Sequence, residues 1–193
     1  MAADSLDENN RLHTLLGNVP DKAHNRLRDP IASINGRRPA PLQDWHPENC
    51  GDIDMAISAE GTWYHEGVAI RRTELWQLFA GILRREADGH YYLVTPVEKC
   101  RVSVALHPLI ITDIEPQSDP QGAVLMASLN AGGVFPISAA YPIALEPRAS
   151  GAAYISLPQG LSALCSRAAW YRLVAMAGDD NVIASGGVRF PLS

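Results

Sequence analysis

From Cys50 onward, apolar and polar residues alternate in runs whose period changes along the chain. In GDIDMAISAEG, Ile53, Met55 and Ile57 alternate with Asp52, Asp54, Ala56 and Ser58. A period of two predicts a strand with one apolar face. Glu60-Gly61 then predicts a tight hairpin into TWYHEGVAI, with glycine supplying the positive φ. With a two-residue loop, Ile57 lies opposite Tyr64 and Ser58 opposite Trp63, and Asp54, Trp63 and His65 share the face away from the core. Over RRTELWQLFAGILRRE the period becomes helical. Leu75, Leu78, Phe79, Ile82 and Leu83 recur at three- and four-residue steps, with Glu74 in the first turn and Arg84-Arg85 in the last, as the helix dipole favours. Asp88-Gly89 turns the chain into the strand YYLVT. After Pro96, Cys100, Val102, Val104 and Leu106 alternate with Lys99, Arg101 and Ser103, and LIITDI adds a further strand.

The second half carries the same theme less clearly. AVLMASLN, VFPISAAYPIAL and AAYISL predict strands separated by NAGG and PRASG turns. LSALCSRAAWYRLVAMAG predicts a helix, with Leu161, Leu164, Trp170, Leu173 and Val174 turned inward. NVIASGGVRFPL closes the chain as strand. YHEG to ADG spans nearly the same length as YISL to GDD, a hint of internal duplication. The organisation expected is α+β: a loosely ordered leader with short helices over 1–40, an N-terminal α+β domain over 41–98, and a β-rich C-terminal domain with one helix over 99–193.

Composition narrows the function classes. The charged fraction of 19% and hydrophobic fraction of 47% describe a folded protein. A net charge of −5 argues against a nucleic-acid polymer as partner, since phosphate-backbone binding needs a cationic surplus; a local basic pocket for one anion stays open. The three widely spaced cysteines include no C-x-x-C pair and read as reduced thiols in a cytoplasmic protein. The polar start MAADSLDENN shows no signal peptide, and no apolar run is long enough to span a membrane.

Most chemical motifs fail on spacing. HEGVA has Ala69 where a zinc protease needs its second histidine. Pro47 biases His46 to an extended backbone, so His46 and Cys50 do not share a helical face. Asp52 and Asp54 point the same way and could hold a divalent ion, but alternating aspartates more simply form the wet face of a strand, and no metal is assigned. P-loop, Rossmann and G-x-S-x-G patterns do not occur, so no nucleotide loop, cofactor or catalytic residue is assigned. Gly132-Gly133 and Gly186-Gly187 read as turns. The tryptophans read mainly as packing, and TPVEK as a polar corner where a pocket between the halves could form.

WHPENCGDIDMAISAEGTWYHEGVAIRR and LWQLFAGILRREADGHYYLVTPVEK, then more thinly GLSALCSRAAWY and SGGVRFPL, strongly resemble the bacterial domain-of-unknown-function family 1285. The resemblance implies a two-domain α+β fold with repeated strand–helix–strand motifs and a C-terminal half superficially like pleckstrin-homology domains. It also implies a nucleotide-like ligand at the domain interface and a part in signalling. The chain departs from the family pattern at Ala105-Leu106-His107, where an acidic pair is usual before the proline, and at Leu157-Pro158-Gln159, where an arginine is usual. The leading expectation is a small-ligand module in which Trp63 or Tyr64 stacks a ring and Arg71, Lys99 or Arg101 meets phosphate or carboxylate. Asp54 would orient a hydroxyl, with His65 beside it. The alternatives are a protein-interaction module without a small ligand, and an unrecognised hydrolase built on Asp52, Asp54 and His65.

Overall fold

The computed structural model describes residues 33–119 and 122–192, so the leader expected over 1–40 lies outside the described residues as far as residue 32. The first half contains β1 (Asn49–Ile57), β2 (Trp63–His65), β3 (Val68–Ala69), α1 (Thr73–Ala80), β4 (Leu83–Arg85), β5 (Tyr91–Val94) and β6 (Glu98–Val104). The second contains β7 (Leu109–Asp119), β8 (Gly122–Leu129), β9 (Val134–Pro136), β10 (Ile143–Glu146), β11 (Ala152–Ser156), β12 (Ser162–Cys165), α2 (Arg167–Ala175) and the hairpin β13 (Val182–Ser185)–β14 (Val188–Pro191). The architecture is α+β in two domains, mostly sheet with two α-helices among the described residues.

The two halves repeat one strand order. The first six-stranded sheet runs β3-β2-β1-β6-β5-β4 and the second, read from its β9 edge, β9-β8-β7-β12-β11-β10. Each is two three-stranded meanders laid side by side. In each, the last strand returns parallel to the first: β6 beside β1, and β12 beside β7. The helix does not follow the repeat, because α1 joins the two meanders of the first half whereas α2 comes after both meanders of the second. The duplication hinted at by the sequence is therefore one of strand order, over different segments from those compared above.

Ile53, Met55 and Ile57 face the core as the alternation predicts, together with Cys100 and Val102 of β6. The boundary expected at 98/99 moves: residues 98–104 form β6 of the first sheet, and the second sheet begins at Leu109. In β7 a bulge between Ile111 and Asp113 resets the pleat, so that Ile111 and Ile114 are both buried despite their odd spacing.

Three local expectations change. The loop after β1 is longer than two residues; Ser58 N–H donates to Thr62 O at 2.9 Å, and Gly61 turns with φ +77°. Ile57 therefore pairs with Trp63 and Met55 with His65. This one-residue slip puts Trp63 and His65 on the core face, away from Asp54. Helix α1 ends at Ala80, and Leu83–Arg85 instead pairs with Tyr91–Leu93 as a strand. Arg84 and Arg85 thus project from opposite faces of β4 and are not helix-end cations. Likewise Ser162–Cys165 is strand, and α2 starts only where Ser166 Oγ accepts the Ala169 N–H at 3.2 Å.

Residues 33–45 form a strap that touches both halves. Gly133 N–H donates to Ile34 O (3.2 Å) in the β8–β9 turn, Asn35 Nδ2 donates to Gln77 O of α1 (3.2 Å), and Arg84 donates to the carbonyls of Leu42 (2.6 Å) and Trp45 (3.0 Å). Close glycine contacts join the halves elsewhere. A Cβ on Gly61 would lie 2.6 Å from Ile110, and one on Gly160 would lie 3.2 Å from the Arg85 backbone.

Candidate functional site

The junction of the halves opens into a cleft of about 530 Å³. One wall is the β4–β5 hairpin, with Arg85 and Tyr91; the floor is the connector between the sheets; the far wall comes from β10, β11 and the start of β12. Arg85 is held in place by its own hairpin, donating from Nε to Gly89 O at 3.2 Å with its guanidinium 5.6 Å from the Tyr91 ring centre.

The floor carries a continuous polar chain. His107, 5% exposed, places Nδ1 2.7 Å from Ser162 Oγ and Nε2 3.1 Å from Glu146 Oε2. Its ring packs against Tyr154 with centres 4.6 Å apart. Glu146, 7% exposed, caps the short turn after β10 by accepting the Arg148 backbone N–H at 3.0 Å. It also accepts from Arg148 Nε (3.0 Å) and Nη2 (3.2 Å). Topology brings these distant residues together: β12 lies parallel to β7, so Ser162 sits beside the connector that delivers His107, while β11 bridges β12 to β10.

The Arg148 side chain, its backbone N–H and the His107 contact hold the Glu146 carboxyl down at about 2, against the opposing effect of burial. Burial pushes the His107 pKa below its ordinary value, and the attraction of Glu146 only partly offsets this. At neutral pH the imidazole is therefore neutral beside a carboxylate. A carboxylate can only accept, so Nε2 bears the proton, Nδ1 keeps its lone pair, and the Ser162 hydroxyl donates to it.

Both shifts give the fold an acid limb. The unfolded histidine binds a proton below about 6.5 that the folded one resists, so stability falls as pH drops from there toward the depressed folded value. Glu146 adds stability that is complete above the ordinary carboxyl value of 4.5 and is lost as pH falls toward about 2. Urea unfolding across this range should show both limbs in the wild type, and His107→Asn should flatten the upper one.

Family models match both halves. The "Domain of unknown function (DUF1285), N-terminal domain" covers residues 40–105, and "Protein of unknown function (DUF1285), C-terminal domain" covers residues 108–192. The chain belongs to the DUF1285 family. A solved DUF1285 structure from Silicibacter pomeroyi DSS-3 is 36% identical, with TM-score 0.72 over 79% of this chain and 86% of that one. Another, from Shewanella baltica OS155, is 30% identical, with TM-score 0.54 over 65% of this chain and 94% of that one. No curated protein matches the chain.

None of the seven residues expected to bind ligand lines this DUF1285 cleft. Trp63 is 1% exposed and packs against Phe79, ring centres 6.2 Å apart, so no face of it is free to stack a ligand. His65 is half-buried on the same core side. Asp54 and Tyr64 share the outer face of the first sheet with Lys99 and Arg101, while Arg71 is exposed ahead of α1. Lys99 is engaged internally, 2.6 Å from Glu86 and 4.8 Å from the Tyr92 ring centre; Arg101 pairs with Asp52 at 3.0 Å. Burial works against the Glu86 carboxylate, but Lys99 and Arg84 together outweigh it and hold its pKa below the ordinary value. The polar corner at TPVEK is a turn in which Thr95 Oγ bonds the backbone of Glu98.

Arg85, Tyr91, His107, Glu146, Arg148 and Ser162, which line the cleft, were not among the residues expected to bind ligand. One signal pointed toward them. Both stretches noted as departing from the family pattern border the cleft: Ala105, Leu106 and His107 at its floor, and Leu157 at its far wall. Pro158 and Gln159 line a neighbouring crevice under the strap. Among the described residues, no cluster of three or more His, Cys, Asp or Glu could hold a metal, and no helix is long and apolar enough to cross a membrane.

Proposed function

We propose that the chain is a small-molecule binding module whose ligand, nucleotide-like or otherwise anionic, sits in the cleft between the halves. The observation that carries this reading is the cleft itself. Its volume of about 530 Å³ falls in the range of small-ligand sites, and both halves contribute polar side chains to it. The Glu146–Arg148 pair is internally neutral and His107 is uncharged near pH 7. Arg85 therefore supplies the unbalanced positive charge, which favours an anionic group on the ligand. Tyr91 and Tyr154 add aromatic surface for a ring.

Thermal unfolding against nucleotides, cyclic dinucleotides, sugar phosphates and inorganic phosphate tests the reading. A ligand at a hundred times its dissociation constant stabilises by about 2.7 kcal/mol. For a chain of this size that is a shift of roughly 5–10 °C. Arg85→Ala, on an exposed side chain, should abolish the shift while leaving the melting of the free protein nearly unchanged. A flat response to every anion would transfer the weight to a protein-interaction role.

A further inference from the structure

We propose that Ser162, His107 and Glu146 work as nucleophile, general base and orienting carboxylate, and that the cleft hydrolyses small carboxylic esters bearing an anionic group. The inference rests on the reading of the cleft as a ligand site and adds a reaction to it. Three features of the site support it. Ser162 lines the cleft and is half-buried, where water could satisfy its hydroxyl, yet it lies 2.7 Å from a histidine that is itself buried. Both ring nitrogens of His107 are engaged from opposite sides, so the ring is fixed in place and in tautomer. Glu146 is in turn anchored by Arg148, so it stays ionised and aimed at Nε2. Here Nδ1 faces the hydroxyl and Nε2 the carboxylate. Either imidazole nitrogen can accept a proton, and what matters is that the carboxylate fixes the proton on the other one.

The step balances without any co-reactant except water. Ser162 Oγ bonds to the ester carbonyl carbon as its proton passes to Nδ1, and the Glu146 carboxylate stabilises the resulting imidazolium through Nε2–H. The tetrahedral centre collapses, the carbon–alkoxy bond breaks, and the alcohol leaves with the proton from Nδ1. Water then attacks the acyl-serine and gives a proton to Nδ1. The acyl–oxygen bond breaks, Oγ recovers that proton, and the acid departs as a carboxylate with release of one proton. Arg85, on the facing wall, selects esters that carry a negative group.

Two probes test this on the full chain. A fluorophosphonate should label the folded protein at Ser162, as mapped by peptide mass. Hydrolysis of 4-acetoxybenzenesulfonate, a phenyl acetate that carries an anionic group, should fall at least about a hundredfold in Ser162→Ala and in His107→Asn. The wild-type pH profile should rise through the region below 6.5 in which His107 loses its proton. Circular dichroism of Ser162→Ala, a small change at a half-exposed position, guards against loss of fold. Absence of labelling, labelling at another serine, or turnover unchanged in Ser162→Ala would overturn the proposal. Anion-induced stabilisation that persists in Ser162→Ala would leave the binding reading standing even so; loss of that stabilisation from the wild type would remove both.

Discussion

Trp63→Ala is expected to lower stability by about 3–5 kcal/mol, the range for emptying an aromatic site in a packed core. Trp63 is 1% exposed, on the core face opposite Ile57, with Phe79 of α1 stacked beside it at an interplanar angle of 26°. Truncation removes an aromatic contact between α1 and the sheet, and the close β1–β2 hairpin leaves little freedom to collapse into the void. A loss of this size is a large part of the margin of an ordinary domain. The variant should therefore unfold at a much lower urea concentration than wild type. Trp63→Phe should lose much less, because the buried indole N–H has no acceptor among the described residues and its removal relieves that penalty. If instead Trp63→Ala melted like wild type but failed to bind the anions that stabilise wild type, the tryptophan would be a ligand contact and its placement in the core would be wrong.

Gly133→Ala is the second large effect, and it acts by overpacking. A Cβ at Gly133 would lie 1.9 Å from the carbonyl oxygen of Ser33 and 2.8 Å from that of Ile34. Both are backbone atoms of the strap, so no rotamer change can relieve the clash. Either the β8–β9 turn distorts or the strap lifts off it and gives up the Gly133 N–H bond to Ile34 O. Such insertions cost typically 1–3 kcal/mol, and the upper part of that range is expected here. Hydrogen exchange locates the damage: the Gly36 and Gly133 amides, bonded to Ser33 O and Ile34 O, should lose protection while amides in β1 and β6 keep theirs. Unchanged protection at Gly36 and Gly133 would mean that the strap is not seated on this turn.

How much of this was legible in the chain depended on whether the deciding contacts were local. β1 and β6 could be read because one buried face forces period-two alternation, visible in Ile53, Met55, Ile57 and in Cys100, Val102. Register could not, since it turned on whether the hairpin loop ended at Gly61 or beyond it, and one residue moved Trp63 and His65 to the other face. Apolar runs such as Ile82–Leu83 and Leu161–Cys165 fit helix and strand equally, and only pairing with distant strands decided for strand. The Ser166 cap was the local mark of where α2 begins, and it lay inside a run already assigned to helix. The cleft was the least legible part. His107 and Ser162 are 55 positions apart and His107 and Glu146 are 39 apart, brought together only by the return of β12 alongside β7. No spacing rule connects residues at such distances.

The parallel pairing at the centre of each sheet has a consequence for how the molecule is assembled. Because β6 runs alongside β1 in the same direction, the chain enters the first half at one end of its sheet and leaves at the other, with Ile57 beside Val104 at the exit. A unit with its ends at opposite poles can be strung head to tail through a connector of a few residues, here 105–108, without the chain having to double back. Copying such a unit yields an advancing column, and every seam in that column is new surface that belongs to neither copy. The second half is then free to diverge at the seam, where its first and last strands meet the exit of its predecessor. The cleft lined by both halves lies at such a seam, a surface that one unit alone could not possess.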